Sequence, residues 1–353
     1  MRRGVRANLE TKSSPPQADY RLGTSYALAT AILLALQPPF SAPAARNLTS
    51  IDFMGFTQCA LLFSVPLLIA RADSRRDFAA ILLDVRYWPK LAVMFCVGVI
   101  GLALFDIGLS STHPIITATI LNLTPFWAAL VAFVVTKRSI AISQTLFFGS
   151  FLTAFCGAMA IAWSQIGVEP DVLLHDVLES ALHSKWIYAV PTPIFFVLSG
   201  TLVFKWFSEF DEQAAIAANF VVSSLVLIPV ALVMSDFGRQ SHLTEQSKVA
   251  ILLLLVGTLA NSAAGRVFYQ KALTATQNDN GYVTMFFLLM PALTSLISFS
   301  LSRWIADLRF ISGPGFFLGM ALVTTPLLLL SLSAARAAAS PTVPGRSGRA
   351  LRG

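Results

Sequence analysis

One acidic side chain of this sequence lies inside an apolar stretch. Asp106 is followed by only four residues of a segment that spans 89–110, so at about 1.5 Å per residue it lies about 6 Å from the outer end of that segment. A carboxylate in such surroundings is costly enough to indicate a function, and it can bind a proton or a cation. Two interpretations are open: a site for a coupling ion, or a carboxylate that reaches the outer interface or bonds to Ser110.

A second charge lies three residues before the end of another apolar segment, 248–269, on Arg266. Its planar fork of donors suits an anionic substrate. The alternative is that the long side chain extends to the lipid headgroups at the inner surface.

A polar stripe follows Asp106 in the sequence. His113, Thr117 and Thr124 are spaced so that they lie within about 40° of each other on a helix, which predicts one wall of a cavity. The alternative is that the threonines bond to carbonyls of their own helix and that the histidine is solvated. Asn122 points to another face, where its amide needs a partner in a neighbouring helix.

Two prolines near the middle of apolar segments mark further candidate positions. Pro125 and Pro291 lie about halfway along their segments, and a proline there frees backbone carbonyls that can face a ligand. Trp127, close after the first proline, and Thr284, ahead of the second, are added to the predicted substrate site.

Composition places these residues in a membrane protein. Hydrophobic residues make up 56% of the 353 residues, charged residues 12%, and the mean hydropathy is +0.71. A soluble helical core needs polar outer faces, which stretches such as 249–259 lack. Ten apolar segments of helical, membrane-spanning length are predicted: 23–42, 52–71, 89–110, 114–136, 143–163, 187–206, 213–234, 248–269, 281–302 and 311–333.

The sequence also repeats itself. Residues 121–133 and 287–299 share one apolar pattern around Pro125 and Pro291, and each lies in the fourth of five segments. This predicts an all-α membrane protein of ten transmembrane helices in two five-helix repeats, 22–165 and 187–335. Because five is odd, the second repeat is inverted relative to the first, as in many carriers.

Charge predicts the orientation. Most lysines and arginines lie on the side of the N-terminus, so both termini are expected in the cytoplasm of a bacterial-type cell, with the protein in the inner membrane. The segment 166–186 is then an external loop with a short amphipathic helix. Residues 1–21 form a basic cytoplasmic tail, and 336–353 are expected to be a disordered one.

The remaining features limit the possible partners. The net charge of +7 is spread over tails and loops, which does not indicate nucleic-acid binding. The three cysteines lie on different segments and give neither a disulfide framework nor a metal site, so no cofactor is predicted. Small residues at four-residue spacing in 150–162, and the pair Gly315 and Gly319, favour close helix packing within one chain or in a homodimer.

The repeated segments resemble the drug/metabolite transporter superfamily, in particular its EamA-like members. The resemblance covers about 22–335 and is most specific in Leu102–Trp163 and Gly265–Leu330, where a short polar connection precedes the proline-bearing helix. It implies a central cavity walled by spans 1, 3, 4, 6, 8 and 9 and transport by alternating access. The family's Leu-Gly-Glu-type signature is absent, since the corresponding places read Val135–Ser139 and Leu301–Ile305.

Two classes of function compete at this point. The first is a secondary transporter that exports a small metabolite, with the lipid bilayer and a proton or cation as further partners. The second is an intramembrane enzyme, or a channel. An enzyme needs a clustered nucleophile, base or metal set, and the sequence has no HExxH, GxSxG or Walker loop. A transporter rather than an enzyme is therefore predicted.

Overall fold

The computed structural model describes residues 19–111, 114–121, 144–166, 190–235, 244–276, 283, 286–305, 308 and 313–339. Within these ranges the chain is helical and contains no strand, which confirms the all-α prediction. The helices are α1 (Tyr20–Asn47), α2 (Ser50–Leu68), α3 (Ala72–Leu83), α4 (Trp88–Ser111), α5 (Pro114–Leu121), α6 (Gln144–Ile166), α7 (Thr192–Trp206), α8 (Glu212–Met234), α9 (Glu245–Leu259), α10 (Arg266–Ala275), α11 (Met290–Leu301) and α12 (Pro314–Ala339).

Five of the described helical stretches are long and apolar enough to cross a membrane: Tyr20–Asn47, Ser50–Leu68, Val85–Ser111, Glu212–Met234 and Glu245–Ala275. Shorter apolar helices cover Leu152–Ile161, Thr192–Val203, Met290–Leu301 and Pro314–Pro326. The fold is therefore that of an all-helical membrane protein, and each predicted apolar segment contains helix in its described part.

The helices pack in pairs that join the two parts of the chain. Helix α2 packs on α8, α6 on α12, and α5 on α11, while α1 packs on α9 and α10 and α4 packs on α7. Two apolar clusters lie at opposite ends of this bundle. The first includes Leu68, Leu91 and Phe207, and the second includes Phe53 and Phe105.

Helix α3 is an element that the apolar pattern did not predict. It is only 12 residues long and carries charged residues between two spans. Ser74 and Ile81 are its buried residues, and Ile81 belongs to the first apolar cluster. This helix therefore packs against the bundle at the face where α2 ends and α4 begins.

Helix α1 contains three prolines, Pro38, Pro39 and Pro43. Proline has no N–H, so Pro39 leaves the carbonyl of Ala35 without its usual partner in the helix. The hydroxyl of Thr294 in α11 donates to that carbonyl at 3.1 Å. A neighbouring helix thus satisfies the backbone group that the proline frees, as a proline within a membrane helix requires.

A π-helical turn, Ala260–Gly265, joins α9 to α10. It faces the proline-bearing part of α1, because the amide of Asn261 donates to the side-chain oxygen of Gln37. A π turn inserts extra backbone into a helix and rotates the residues after the turn, and such turns are frequent at functional sites. The orientation of α10, which begins at Arg266, is therefore set by this turn.

Candidate functional site

A cavity of about 80 Å³, here called the chamber, lies between α4, α7, α8 and α10. Its polar lining comes from Ser199, Glu212, Asn219 and Arg266. The other lining residues are mostly apolar, and they include Met94, Val203, Ile216 and Phe220. Polar groups that converge in an apolar pocket are typical of a small-molecule site.

Arg266 projects into this chamber from the first position of α10. The residue is exposed by surface area, and part of that surface lines the chamber. Glu212 and Tyr269 interact with it electrostatically. Among the described residues, none forms a hydrogen bond or close ion pair with the guanidinium. The sequence alone left open whether Arg266 faces a substrate or extends to the headgroups; the structure adds that the residue lines the chamber.

Glu212 and Asn219 lie seven residues apart on α8, and therefore on one face of that helix. Glu212 is in the first turn, where a negative charge is stabilised by the helix dipole. The amide of Gln270 in α10 donates to its carboxylate. Asn219 is 9% exposed, and its side-chain oxygen has no hydrogen-bond partner among the described residues.

A second cavity of about 270 Å³, here called the vestibule, lies beside the chamber. It is open to solvent at the face where α1 and α8 begin and α10 ends. Gln270 lines the vestibule and bonds to Glu212, which lines the chamber, so its side chain stands between the two. The charged residues of the vestibule are Arg71, Asp211 and Lys271.

Polar contacts join α3 and the turn before α4 to the connection between α7 and α8 at the same face. The Ser74 hydroxyl donates to the Asp211 carboxylate at 2.5 Å, and the Asp77 carboxylate accepts from the Asp211 backbone N–H at 2.8 Å. The Tyr87 hydroxyl donates to Glu209 at 2.6 Å. We call this set of contacts the polar clasp.

Asp106 follows Phe105 of the second apolar cluster, at the other end of the bundle, and is 2% exposed. It does not bond to Ser110, whose hydroxyl donates to the carbonyl of Ile107 at 3.1 Å. The side chain of Ser50 interacts with the carboxyl group instead. Its Oδ1 atom has no hydrogen-bond partner within the described part of the chain. Asp106 is thus buried rather than directed to solvent.

The polar stripe is described only at Thr117, which is buried in α5. The hydroxyl of neighbouring Thr119 donates to the carbonyl of Ile115 at 2.8 Å, which is the local bonding expected of threonine in a membrane helix. The other predicted positions, His113, Asn122, Thr124, Pro125, Trp127 and Thr284, lie outside the described residues. Pro291 is the second residue of α11 and follows a 3-10 turn, Phe286–Leu289.

Several buried hydroxyls lie on the helices that meet at the π turn. Ser41, Thr258, Ser262 and Ser298 are buried, and their hydroxyl oxygens have no hydrogen-bond partner among the residues that the structure describes. The Gln37–Asn261 bond places α1 against the turn, and the Thr294–Ala35 bond places α11 against α1. Polar atoms therefore continue from the chamber towards the middle of the bundle.

Sequence reasoning did not select Glu212, Asn219, Gln270, Gln37 or Asn261. A usable signal was present for three of them, since Gln37, Asn219 and Asn261 are amides inside apolar segments, where an unpaired amide is costly. No signal was available for Glu212 and Gln270, because they lie near segment ends, where solvated polar residues are common. Their role depends on the contact between α8 and α10.

Solved structures of other proteins share this fold. One of them, a crystal structure, superposes with a TM-score of 0.56 over 89% of this chain and 99% of that chain, at 16% sequence identity. At this level of identity the likeness concerns the fold alone. No protein-family model matches the sequence, and no curated protein does.

Proposed function

We propose that this protein is a secondary transporter that moves a small metabolite across the membrane by alternating access. The observation that carries the proposal is the chamber: Arg266, Glu212 and Asn219 converge on a cavity inside a bundle of membrane-length helices. Charged residues inside such a bundle are costly and characteristically mark substrate or ion pathways. The vestibule lies next to the chamber, with the Gln270 side chain between them, and it opens to one face.

The proposal includes ten spans in two inverted five-helix repeats, so that each span of the first repeat has an equivalent span at the same place in the second. The pairing of the helices supports this arrangement. The first repeat's α1 packs on α9 and α10 of the second, and the second repeat's α7 packs reciprocally on α4 of the first. The pairs α2–α8, α5–α11 and α6–α12 join equivalent positions of the two repeats. Reciprocal pairing of this kind is expected when a two-fold axis in the membrane plane relates the repeats.

Coupling to a proton or cation through Asp106 is part of the same proposal. The support is a buried carboxyl group with one oxygen free of hydrogen-bond partners among the described residues, at the opposite end of the bundle from the vestibule. We further propose a bacterial inner-membrane location, both termini in the cytoplasm, and export as the direction of transport. Membership of the EamA-like group rests on the repeated proline-centred segments alone.

Transport by the purified protein in liposomes tests the proposal. Proteoliposomes loaded with a mixture of metabolites are diluted into buffer that contains one labelled metabolite at a time, and exchange is followed against protein-free liposomes. A carrier gives saturable uptake that unlabelled metabolite on the inside accelerates. A channel gives uptake that does not saturate and that internal metabolite does not accelerate, which would contradict the proposal.

A further inference from the structure

The guanidinium of Arg266 occupies a cavity without a matching anion. Glu212, which interacts with it electrostatically, already accepts a hydrogen bond from Gln270, and no ion pair within 4.0 Å joins the two charges in the described structure. A guanidinium that lines a cavity is stabilised by a group that accepts its hydrogen bonds. The five donors of the guanidinium are therefore available to a ligand.

The size of the site and its second polar group limit what that ligand is. The chamber, of about 80 Å³, has room for about five to eight groups of the size of water. Asn219 offers a polar atom without a partner among the described residues to the same space, and an amide can both donate and accept. The adjacent vestibule is lined by two positive charges, Arg71 and Lys271, and by one negative charge, Asp211.

We infer that the chamber binds the oxyanion group of a small organic acid or phosphate ester, held by the fork of Arg266 and oriented by Asn219. This inference rests on the proposed transport function for its biological meaning, but the binding site is defined by the chamber itself. A planar guanidinium binds two oxygens of a carboxylate or a phosphate at once, which an ammonium does not. The larger vestibule accommodates the rest of the molecule.

Titration of the purified protein with two probes tests the inference. Succinate represents carboxylates and inorganic phosphate represents phosphates, each added at constant ionic strength against chloride, with glucose as a neutral reference. The melting temperature of the protein reports binding, because a ligand that binds only the folded state raises it. We expect a rise with at least one oxyanion probe, and the responding probe identifies the source of the oxyanion.

Four variants locate the binding. Arg266→Gln should lower the affinity for the responding probe about 10- to 100-fold, the range for a lost hydrogen-bonded charge. The affinity of Arg266→Lys should lie between those of Arg266→Gln and the parent, since lysine keeps the charge but not the planar fork of donors. Glu212→Gln should tighten binding, because it removes a negative charge beside the site. Arg303→Gln, the same charge change at an exposed position outside both cavities, should leave binding unaltered.

The outcomes separate this inference from the transport proposal. The inference is overturned if neither oxyanion raises the melting temperature, or if Arg303→Gln weakens binding as much as Arg266→Gln. If Arg266→Gln exchanges glucose or another neutral solute across proteoliposomes at the same rate as the parent, the transport proposal holds and the oxyanion site is contradicted. If oxyanion binding depends on Arg266 but no solute is exchanged, the oxyanion site holds and the transport proposal is contradicted. Size-exclusion chromatography of each variant excludes misfolding as the cause.

Discussion

A polar side chain without a hydrogen-bond partner costs more free energy in a membrane protein than in a soluble one, because no water inside the bilayer can bond to it. Gln37 and Asn261 illustrate this, since each amide is the other's partner across the contact of α1 with the π turn. An unpaired amide in apolar surroundings costs about 1–3 kcal/mol, whereas two apolar residues of similar shape cost little. The pair therefore fixes the position of α1 against the turn that orients Arg266.

A double-mutant cycle tests this pair. Gln37→Leu and Asn261→Leu should each destabilise the protein by about 1–3 kcal/mol, since each leaves one amide without its partner. The double variant should lose less than the sum, with a coupling of about 0.6–1.7 kcal/mol, the range for polar contacts between membrane helices. Unfolding of the purified protein in detergent measures all three. The control Gln246→Leu, at an exposed position, should change stability by no more than about 0.5 kcal/mol.

Asp106 leads to a different residue-scale prediction, on pH dependence. If this buried carboxyl group exchanges a proton during transport, replacement by an uncharged amide removes the exchange but keeps the shape. We expect Asp106→Asn to insert and fold, and to transport with a rate that no longer varies with pH. Asp73→Asn, at an exposed position on α3, should keep the pH profile of the parent. An unaltered profile for Asp106→Asn would remove Asp106 from the coupling mechanism.

At the scale of helices, backbone approach decides the contact of α6 with α12. A Cβ atom on Gly157 would lie 2.7 Å from the carbonyl oxygen of Gly319, and one on Gly319 would lie 2.5 Å from that of Gly157. Such distances are too short for any side chain. Small residues at membrane-helix contacts allow this close packing. Gly319, for which packing within one chain or in a homodimer was open, therefore contacts Gly157 of the same chain, a glycine that the sequence analysis did not single out.

Alanine substitution at two glycines of the same helix separates packing from helix propensity. Gly157→Ala should destabilise the protein by about 1–3 kcal/mol, because the added methyl group overpacks the contact with α12. Gly149→Ala should instead stabilise it by about 0.5–1 kcal/mol, because no atom lies within 4 Å of the added Cβ and alanine favours the helix. Thermal unfolding compares the two. Equal effects would show that the contact of α6 with α12 is not close.

The sequence allowed the helices to be predicted better than the site, and the reason is physical. An apolar run of about 20 residues must bury its backbone polar groups in helix wherever it lies in a bilayer, so length and composition suffice for elements such as α8. Which face of α10 meets the chamber depends on the π turn, and no periodicity in Ala260–Gly265 reveals that turn. Arg266 was selected because a charge in an apolar segment is conspicuous. Its neighbour Gln270, near the end of its segment, was not.

The whole molecule presents different surfaces at its two ends. At one end the vestibule and the chamber lie side by side near the polar clasp. At the other end, aromatic and aliphatic side chains such as Phe53, Phe105 and Leu254 pack together, and Asp106 is buried at the same end. An alternating-access transporter would expose its substrate site to one side of the membrane at a time, so each of its two states would have one open and one closed end. The side to which the vestibule opens thus determines from which side the substrate site would be reached in this state.

Charge distribution predicts that the vestibule opens to the cytoplasm, and single cysteines test this. In a background without Cys59, Cys96 and Cys156, Lys271→Cys lies in the vestibule and Arg303→Cys is exposed near the end of α11. An impermeant maleimide should label Lys271→Cys in inverted vesicles only and Arg303→Cys in intact cells only, because arginine and lysine are concentrated on the cytoplasmic side. A reporter fused after Gly353 should be active only in the cytoplasm. Labelling of Lys271→Cys in intact cells would place the vestibule on the outer side and reverse the proposed orientation.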